Sequence, residues 1–213
     1  MNQTIQLDPA LLKQYSYLAK VSGPKPPFDR VMVRWTGDQV RLLAASDYLI
    51  ATRTFDAETD EDGRGSGSVF IPASWWWTAF QGAAKAIGRV EEVNAQLIVV
   101  GSQVSLLVKE AGYSSTTTWE RPARQPNWRR WLTHLEATDT WDGTLPRFNG
   151  HLLKTAVASL GLTKKELMEN PIGLRSTGNG EIGAERSPML LVCGEEWKCL
   201  LMPVVWVEEQ RTK

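Results

Sequence analysis

Residues that perform chemistry are scarce in this chain. It holds two histidines, His134 and His151, and two cysteines, Cys193 and Cys199. There is no Cys-x-x-Cys, no Gly-rich loop of the kind that cradles phosphate, and no His–carboxylate spacing suited to a metal. These absences point away from an enzyme, a metal centre or a bound cofactor. The cysteines lie six apart in what read as adjacent strands; a disulfide is geometrically possible, and reduced core thiols of a cytoplasmic protein are the preferred reading. Long apolar runs are missing too, since Leu97–Val100 and Leu200–Trp206 are strand-sized and far short of a membrane span. Met1-Asn2-Gln3-Thr4 has no basic region followed by an apolar stretch, which predicts no signal peptide. Net charge is zero, with 24 basic residues against 24 acidic ones. A protein that coats nucleic acid with its whole surface would be basic, so the placement of charge matters more than its sum.

What is present is an ordinary globular composition, 42% hydrophobic and 23% charged over 213 residues. That length can bury one substantial core or two smaller ones. Thr4–Leu7 reads as a strand, Asp8 as an N-cap with Pro9 at the first helical position, and Leu11, Leu12, Tyr15, Leu18 and Ala19 recur at helical spacing to about Val21. Strands follow at Arg30–Trp35, Val40–Ala45 and Tyr48–Phe55. The pattern then restarts: strand Gly67–Pro72, a helix capped by Ser74 and running to about Gly88, and strands Val93–Val100, Gln103–Lys109 and Tyr113–Trp119. After the basic stretch Arg121–Arg130 comes a third pass. It has a strand at Thr144–Phe148, a helix over Gly150–Leu160 ended by Gly161, and strands Ile172–Ser176, Pro188–Cys193 and Trp197–Val205. The chain thus reads as three strand–helix–strand–strand–strand units whose helices begin near residues 9, 74 and 150. An α+β domain with three unrelated helices is the plainer alternative.

The three helices carry the charge signal. Lys13 and Lys20 are seven apart on the first, Lys85 and Arg89 are four apart on the second, and Lys154 is on the third. No Asp or Glu occurs in Pro9–Ser22, Ser74–Val90 or Asn149–Gly161, where roughly five would be expected. Buried helices would lack both signs; these lack only acids, as a surface facing a polyanion would. Asp56, Glu58, Asp60, Glu61 and Asp62 form an acidic loop between units. It looks like half a calcium loop but has Val69 where the bidentate Glu belongs, so a solvated loop is expected. Trp75-Trp76-Trp77 suggests a stacking platform for single strands. Three consecutive helical positions cannot share a face, so helix packing with one partly exposed ring is the expectation.

Four segments resemble the bacterial β sliding clamp family, the ring subunit of DNA polymerase III. Val40–Ala51 resembles the strand pair around the family's "TDxxRLA" turn, and Gly67–Ala73 the strand entering the second helix of a clamp domain. Gln125-Pro126-Asn127-Trp128-Arg129-Arg130-Trp131-Leu132 resembles the "YPDxRRxxP" element that ends the middle domain, and Leu200-Leu201-Met202-Pro203-Val204 the C-terminal "VMPM" segment. The resemblance implies an α+β DNA-clamp fold built from three βαβββ units, with helices on one face of antiparallel sheets. Residues 1–132 would be a full clamp domain and 133–213 half of one. The turn is one residue shorter than the family pattern, with Tyr48 where Gly is usual, which implies an altered peptide preference.

By that resemblance the chain would be a DNA sliding clamp and processivity factor in the cytoplasm of a bacterial or phage-infected cell. The shortened form suggests a phage or mobile element. Lys13, Lys20, Lys85, Arg89 and Lys154 would face double-stranded DNA without reading sequence. Ala45, Asp47, Leu49, Ile50, Leu200, Met202, Pro203 and Val204 would line the cleft that takes linear peptides from the replicative polymerase and the clamp loader. A family ring contains twelve units, so three-unit chains would close as a tetramer. A clamp-fold decoy or adaptor that does not encircle DNA is the alternative.

Overall fold

The computed structural model describes residues 2–57, 65–88, 93–123, 150–170, 172–176, 189–194 and 196–201. The chain opens with β1 (Asn2–Leu7) and a helical segment in three pieces: a 3-10 turn Pro9–Leu11, α1 (Leu12–Tyr17) and a second 3-10 turn Leu18–Val21. Asp8 caps it, its carboxylate accepting from the Ala10 N–H at 2.9 Å with Pro9 following, so the expected start signal operates. Then come β2 (Arg30–Thr36), β3 (Gln39–Ala45), β4 (Leu49–Asp56), β5 (Ser66–Pro72), α2 (Ala73–Ile87), β6 (Ala95–Val100), β7 (Gln103–Val108) and β8 (Tyr113–Thr118). The described part of the third unit has α3 (Gly150–Ala158), α4 (Lys164–Glu169), β9 (Gly173–Ser176), β10 (Met189–Cys193) and β11 (Trp197–Leu201). The acidic loop from Glu58, the strand expected at Thr144–Phe148 and the element around Trp128 lie outside the described residues.

Two details differ from the sequence expectation. Ser74 lies inside α2 and does not cap it. The strand runs on to Pro72, and the Ala73 N–H donates to the Asp29 carbonyl at 2.9 Å, so a backbone oxygen takes the role given to the hydroxyl. The short helix α4 is an addition to the expected pattern. It is nucleated by a capping box in which Thr163 accepts from the Glu166 N–H and Glu166 accepts from the Thr163 N–H.

Among the described residues all strand pairs are antiparallel and form two sheets, β1-β6-β7-β8 and β5-β2-β3-β4-β11-β10-β9. The first unit's leading strand pairs in the second unit's sheet (β1 with β6), and the second unit's leading strand pairs in the first unit's sheet (β5 with β2). This exchange ties the two units into one body. The third unit joins differently: β11 adds to the edge of β4, with Leu201 opposite Leu49 and Trp197 opposite Arg53.

The helices pack on the sheets and on one another, with α2 touching β7 and β8 of one sheet and β2 and β5 of the other. Trp76 is fully buried at this seam. Its indole N–H donates to the Tyr15 carbonyl at 2.8 Å, and its ring stacks on Phe80 at 4.1 Å. Tyr15 stacks in turn on Phe55 at 5.2 Å, which joins α1, α2 and β4 in one aromatic cluster. Two glycines permit close approach. A Cβ on Gly82 would stand 2.6 Å from the Tyr113 hydroxyl, where α2 lies on β8. Gly161, at φ +67°, ends the third helix against α1, where a Cβ would stand 2.9 Å from the Gln14 backbone.

Candidate nucleic-acid interface

α1, α2 and α3 pack against the sheets and bring their acid-free segments together. α1 contacts α2, and α3 contacts β4, β11 and the 3-10 turn that follows α1. Lys13, Lys20, Lys85 and Lys154 are all exposed, and Arg89 lies outside the described residues. None of these four lysines forms an ion pair among the described residues, where the ion pairs involve Arg30, Arg53 and Lys165. Their charge is therefore available to solvent, or to a polyanion. Lys13 is partly offset. The Glu166 carboxyl is held below the ordinary carboxylate range, first by the Thr163 backbone N–H and then by the Thr163 hydroxyl, with a smaller contribution from Lys13.

Lys20 differs from the other three. Its ammonium lies 4.1 Å from the Tyr17 ring centroid and 5.2 Å from that of Trp77, and these two rings meet edge to face at 5.2 Å. The three tryptophans thus have three separate roles. Trp76 is core, Trp75 donates to the Ser115 hydroxyl at 3.0 Å, and Trp77 is the half-buried ring that steadies Lys20. A cation over these rings competes with a stacked base, and the contacts of the triplet are those of packing and lysine support.

The residues expected in the peptide cleft divide by strand parity. Ala45, Ile50 and Leu200 are drawn together: Ala45 is opposite Ile50, and Ile50 opposite Leu200. They sit in an apolar cluster with Met32, Leu43, Phe70, Leu190 and Val192, distinct from the helix-side core. Leu49, one residue from Ile50, packs in the helix-side core, because successive side chains of a strand take opposite faces. Asp47 is exposed in the β3–β4 turn beside Tyr48, which is 56% exposed. Met202, Pro203 and Val204 lie outside the described residues. Ala45, Ile50 and Leu200 are themselves at most 4% exposed, and Phe28 packs against their cluster. Sequence reasoning missed Met32, Leu43, Phe70, Leu190 and Val192 as partners of this face. The available signal was the run of consecutive apolar residues in Val31–Val33, Leu42–Ala45 and Met189–Cys193, which marks strands buried on both sides. By contrast β1, β6 and β7 alternate buried and part-exposed residues.

Two antiparallel sheets with exchanged leading strands and helices on one face constitute a DNA-clamp fold, here of about one and a half clamp domains. Solved DNA polymerase sliding clamps share it. Two structures from Pseudomonas aeruginosa, one with ligand, match with a TM-score of 0.64 at 10% identity over 94% and 96% of this chain. A clamp from Bacillus subtilis matches with a TM-score of 0.64 at 14% identity over 94% of this chain. This chain spans 66%, 66% and 64% of those proteins, just under two thirds of their length. No protein-family model matches the chain, and no curated protein matches it in sequence.

Proposed function

We propose that this chain is a DNA sliding clamp, a non-enzymatic processivity factor whose copies close into a ring around double-stranded DNA. The observation that carries the reading is the acid-free, lysine-bearing set of three helices on one side of a clamp fold. Lys13, Lys20, Lys85 and Lys154, with Arg89, neutralise phosphates without reading bases, so binding is sequence-independent and falls steeply with salt. Residues 1–132 act as a full clamp domain and 133–213 as half of one, and four chains supply the units of a ring. Among the described residues, β8 and β9 are hydrogen-bonded on one side only, which leaves edges for neighbouring copies. Polymerase and loader peptides dock at the face of Ala45, Ile50 and Leu200, with Asp47 at its rim; Leu49 is turned to the helix-side core, and we further assign peptide contact to Met202, Pro203 and Val204. That face is buried here with Phe28 packed against it, so a peptide that docks there displaces whatever covers it. The protein works in the cytoplasm; among the described residues no helix is long and apolar enough to cross a membrane.

The test is mass in solution followed by retention on DNA. A tetramer at four times the 23.8 kDa chain mass, held on closed circular DNA and lost when the circle is cut, is the expected result. A second reading, a clamp-fold decoy or adaptor that does not encircle DNA, draws on the chain spanning only 66% of the solved clamps. A strict monomer, or a dimer too small to close, would favour it and refute the ring.

A further inference from the structure

The face of the seven-stranded sheet turned away from the helices changes character along its strands. Phe70, Met32 and Leu43 belong to its apolar part. Two residues away on the same strands, and so on the same face, stand Ser68, Arg34 and Arg41. The register puts Ser68 opposite Arg34, Arg34 opposite Arg41 and Arg41 opposite Thr54. Four adjacent strands, β5, β2, β3 and β4, thus present a row of hydroxyl, guanidinium, guanidinium and hydroxyl. Arg34 is exposed and the other three are half-buried.

Like charges directly opposite one another on neighbouring strands repel and weaken the sheet. A carboxylate would relieve them, yet neither arginine forms a side-chain hydrogen bond or ion pair among the described residues. Arg30 and Arg53, by contrast, are both held by glutamates. The acids nearby are otherwise placed. Glu196, whose carbonyl accepts the Thr54 N–H, gives its carboxylate to Arg53, and Asp56 stands one row on, opposite Gln39. Asp38, in the β2–β3 turn, forms no ion pair with either arginine. The row therefore offers two facing cations to a ligand that brings its own negative charge.

The surroundings decide which ligand. A strand of phosphates continues past two contacts. Along the sheet's strands it would run onto Phe70, Met32 and Leu43 in one direction and onto Asp56 and the acids that follow it in sequence in the other. Across the strands it would leave the sheet at β5 or pass Thr54 towards Glu196. A short segment with two carboxylates fits between these limits.

We propose that Arg34 and Arg41 bind an acidic linear segment of a partner protein. Glutamates or aspartates two residues apart, on one side of an extended chain, take one guanidinium each, with the Ser68 and Thr54 hydroxyls donating from either end. The row is on the opposite side of the sheet from the lysine-bearing helices, so it stands whether or not those helices hold DNA.

The experiment titrates the full-length protein, without DNA and at low ionic strength, into dansyl-labelled Ala-Glu-Ala-Glu-Ala-amide and follows fluorescence anisotropy. Saturable binding is expected, weakened about threefold to fivefold in Arg34→Gln and in Arg41→Gln, as loss of one charge-assisted contact at an exposed site would do. The same peptide with glutamine for glutamate is expected to stay unbound. Lys20→Gln and Lys85→Gln should leave the affinity unchanged. Removing one of two facing charges should leave the urea midpoint of each arginine variant unchanged or raised. No binding by the parent protein overturns the proposal, as does binding indifferent to both arginine variants. A loss in the lysine variants equal to that in the arginine variants places the peptide on the helices and overturns it too. A ten-residue thymidine oligonucleotide that binds more tightly than the peptide, and is released by both arginine substitutions, would make the row a single-strand site instead. A lowered midpoint in both variants would show that the pair supports the sheet, and would likewise refute it.

Discussion

Replacing each of Trp75, Trp76 and Trp77 by alanine is expected to separate three neighbours that the sequence does not distinguish. Trp76 has no exposed surface, and its removal takes away the ring stacked on Phe80. Truncating a buried tryptophan costs about 3–5 kcal/mol. The Tyr15 carbonyl would also lose its 2.8 Å donor in a dry environment, a further penalty of about 1–3 kcal/mol that partly overlaps the first. A total near 5 kcal/mol would consume much of the stability of an ordinary domain. Trp76→Phe is therefore the readable variant, expected to cost about 2 kcal/mol because it keeps a ring and loses the hydrogen bond. Trp77→Ala removes an edge-to-face pair worth about 0.5–1.5 kcal/mol and an exposed cation–π interaction worth about 0.5–1 kcal/mol, so about 1–2.5 kcal/mol from these two contacts. Trp75→Ala falls between, since its ring is half-buried and its N–H bonds Ser115. The assay is urea unfolding with midpoints compared at constant m-value. If Trp77→Ala is as damaging as Trp76→Ala, the helix is rotated from the orientation described and the support of Lys20 fails with it.

Further outcomes are expected. Lys20→Gln, Lys85→Gln and Lys154→Gln should each flatten the dependence of log affinity on log salt, by about 0.9 for each phosphate no longer neutralised, whereas Lys109→Gln in the β7–β8 turn should not. Burial raises the Cys199 thiol, and burial is also the largest effect raising the Tyr15 phenol, so the native state holds protons that the unfolded chain releases. Stability should be full below the ordinary thiol range and fall as pH rises past it, by about 1.4 kcal/mol per pH unit for each such proton. Alkaline unfolding curves that stay flat, or are unchanged by Cys199→Ala, would contradict this. Cys199 should also resist a thiol reagent until the protein unfolds, with Cys193 at the sheet's end reacting first. Phe28→Ala should tighten binding of a polymerase-derived peptide at the Ala45–Ile50–Leu200 face; weaker binding would show that Phe28 is part of the site and not its cover.

Local signals in the chain determined most elements by themselves. Asp8-Pro9 starts the first helical segment, Gly161 stops α3, and alternation marks β1, β6 and β7, because capping, left-handed backbone and strand parity are properties of a few neighbouring residues. The lysines and missing acids of the three helices are likewise legible one segment at a time. Thr163-x-x-Glu166 is a legible start signal too, but it stands directly after the stop at Gly161, where a loop is the simpler expectation. What no segment contains is where segments meet. That β11 adds to β4 depends on which sheet edge is open once the first two units have exchanged β1 and β5. That edge then sets the parity placing Ile50 and Leu200 on one face and Leu49 on the other. It also brings Arg53 opposite Trp197. Propensity and capping act over a few residues, whereas pairing across roughly 150 residues of chain is decided only when the core has assembled and the remaining edges compete for partners.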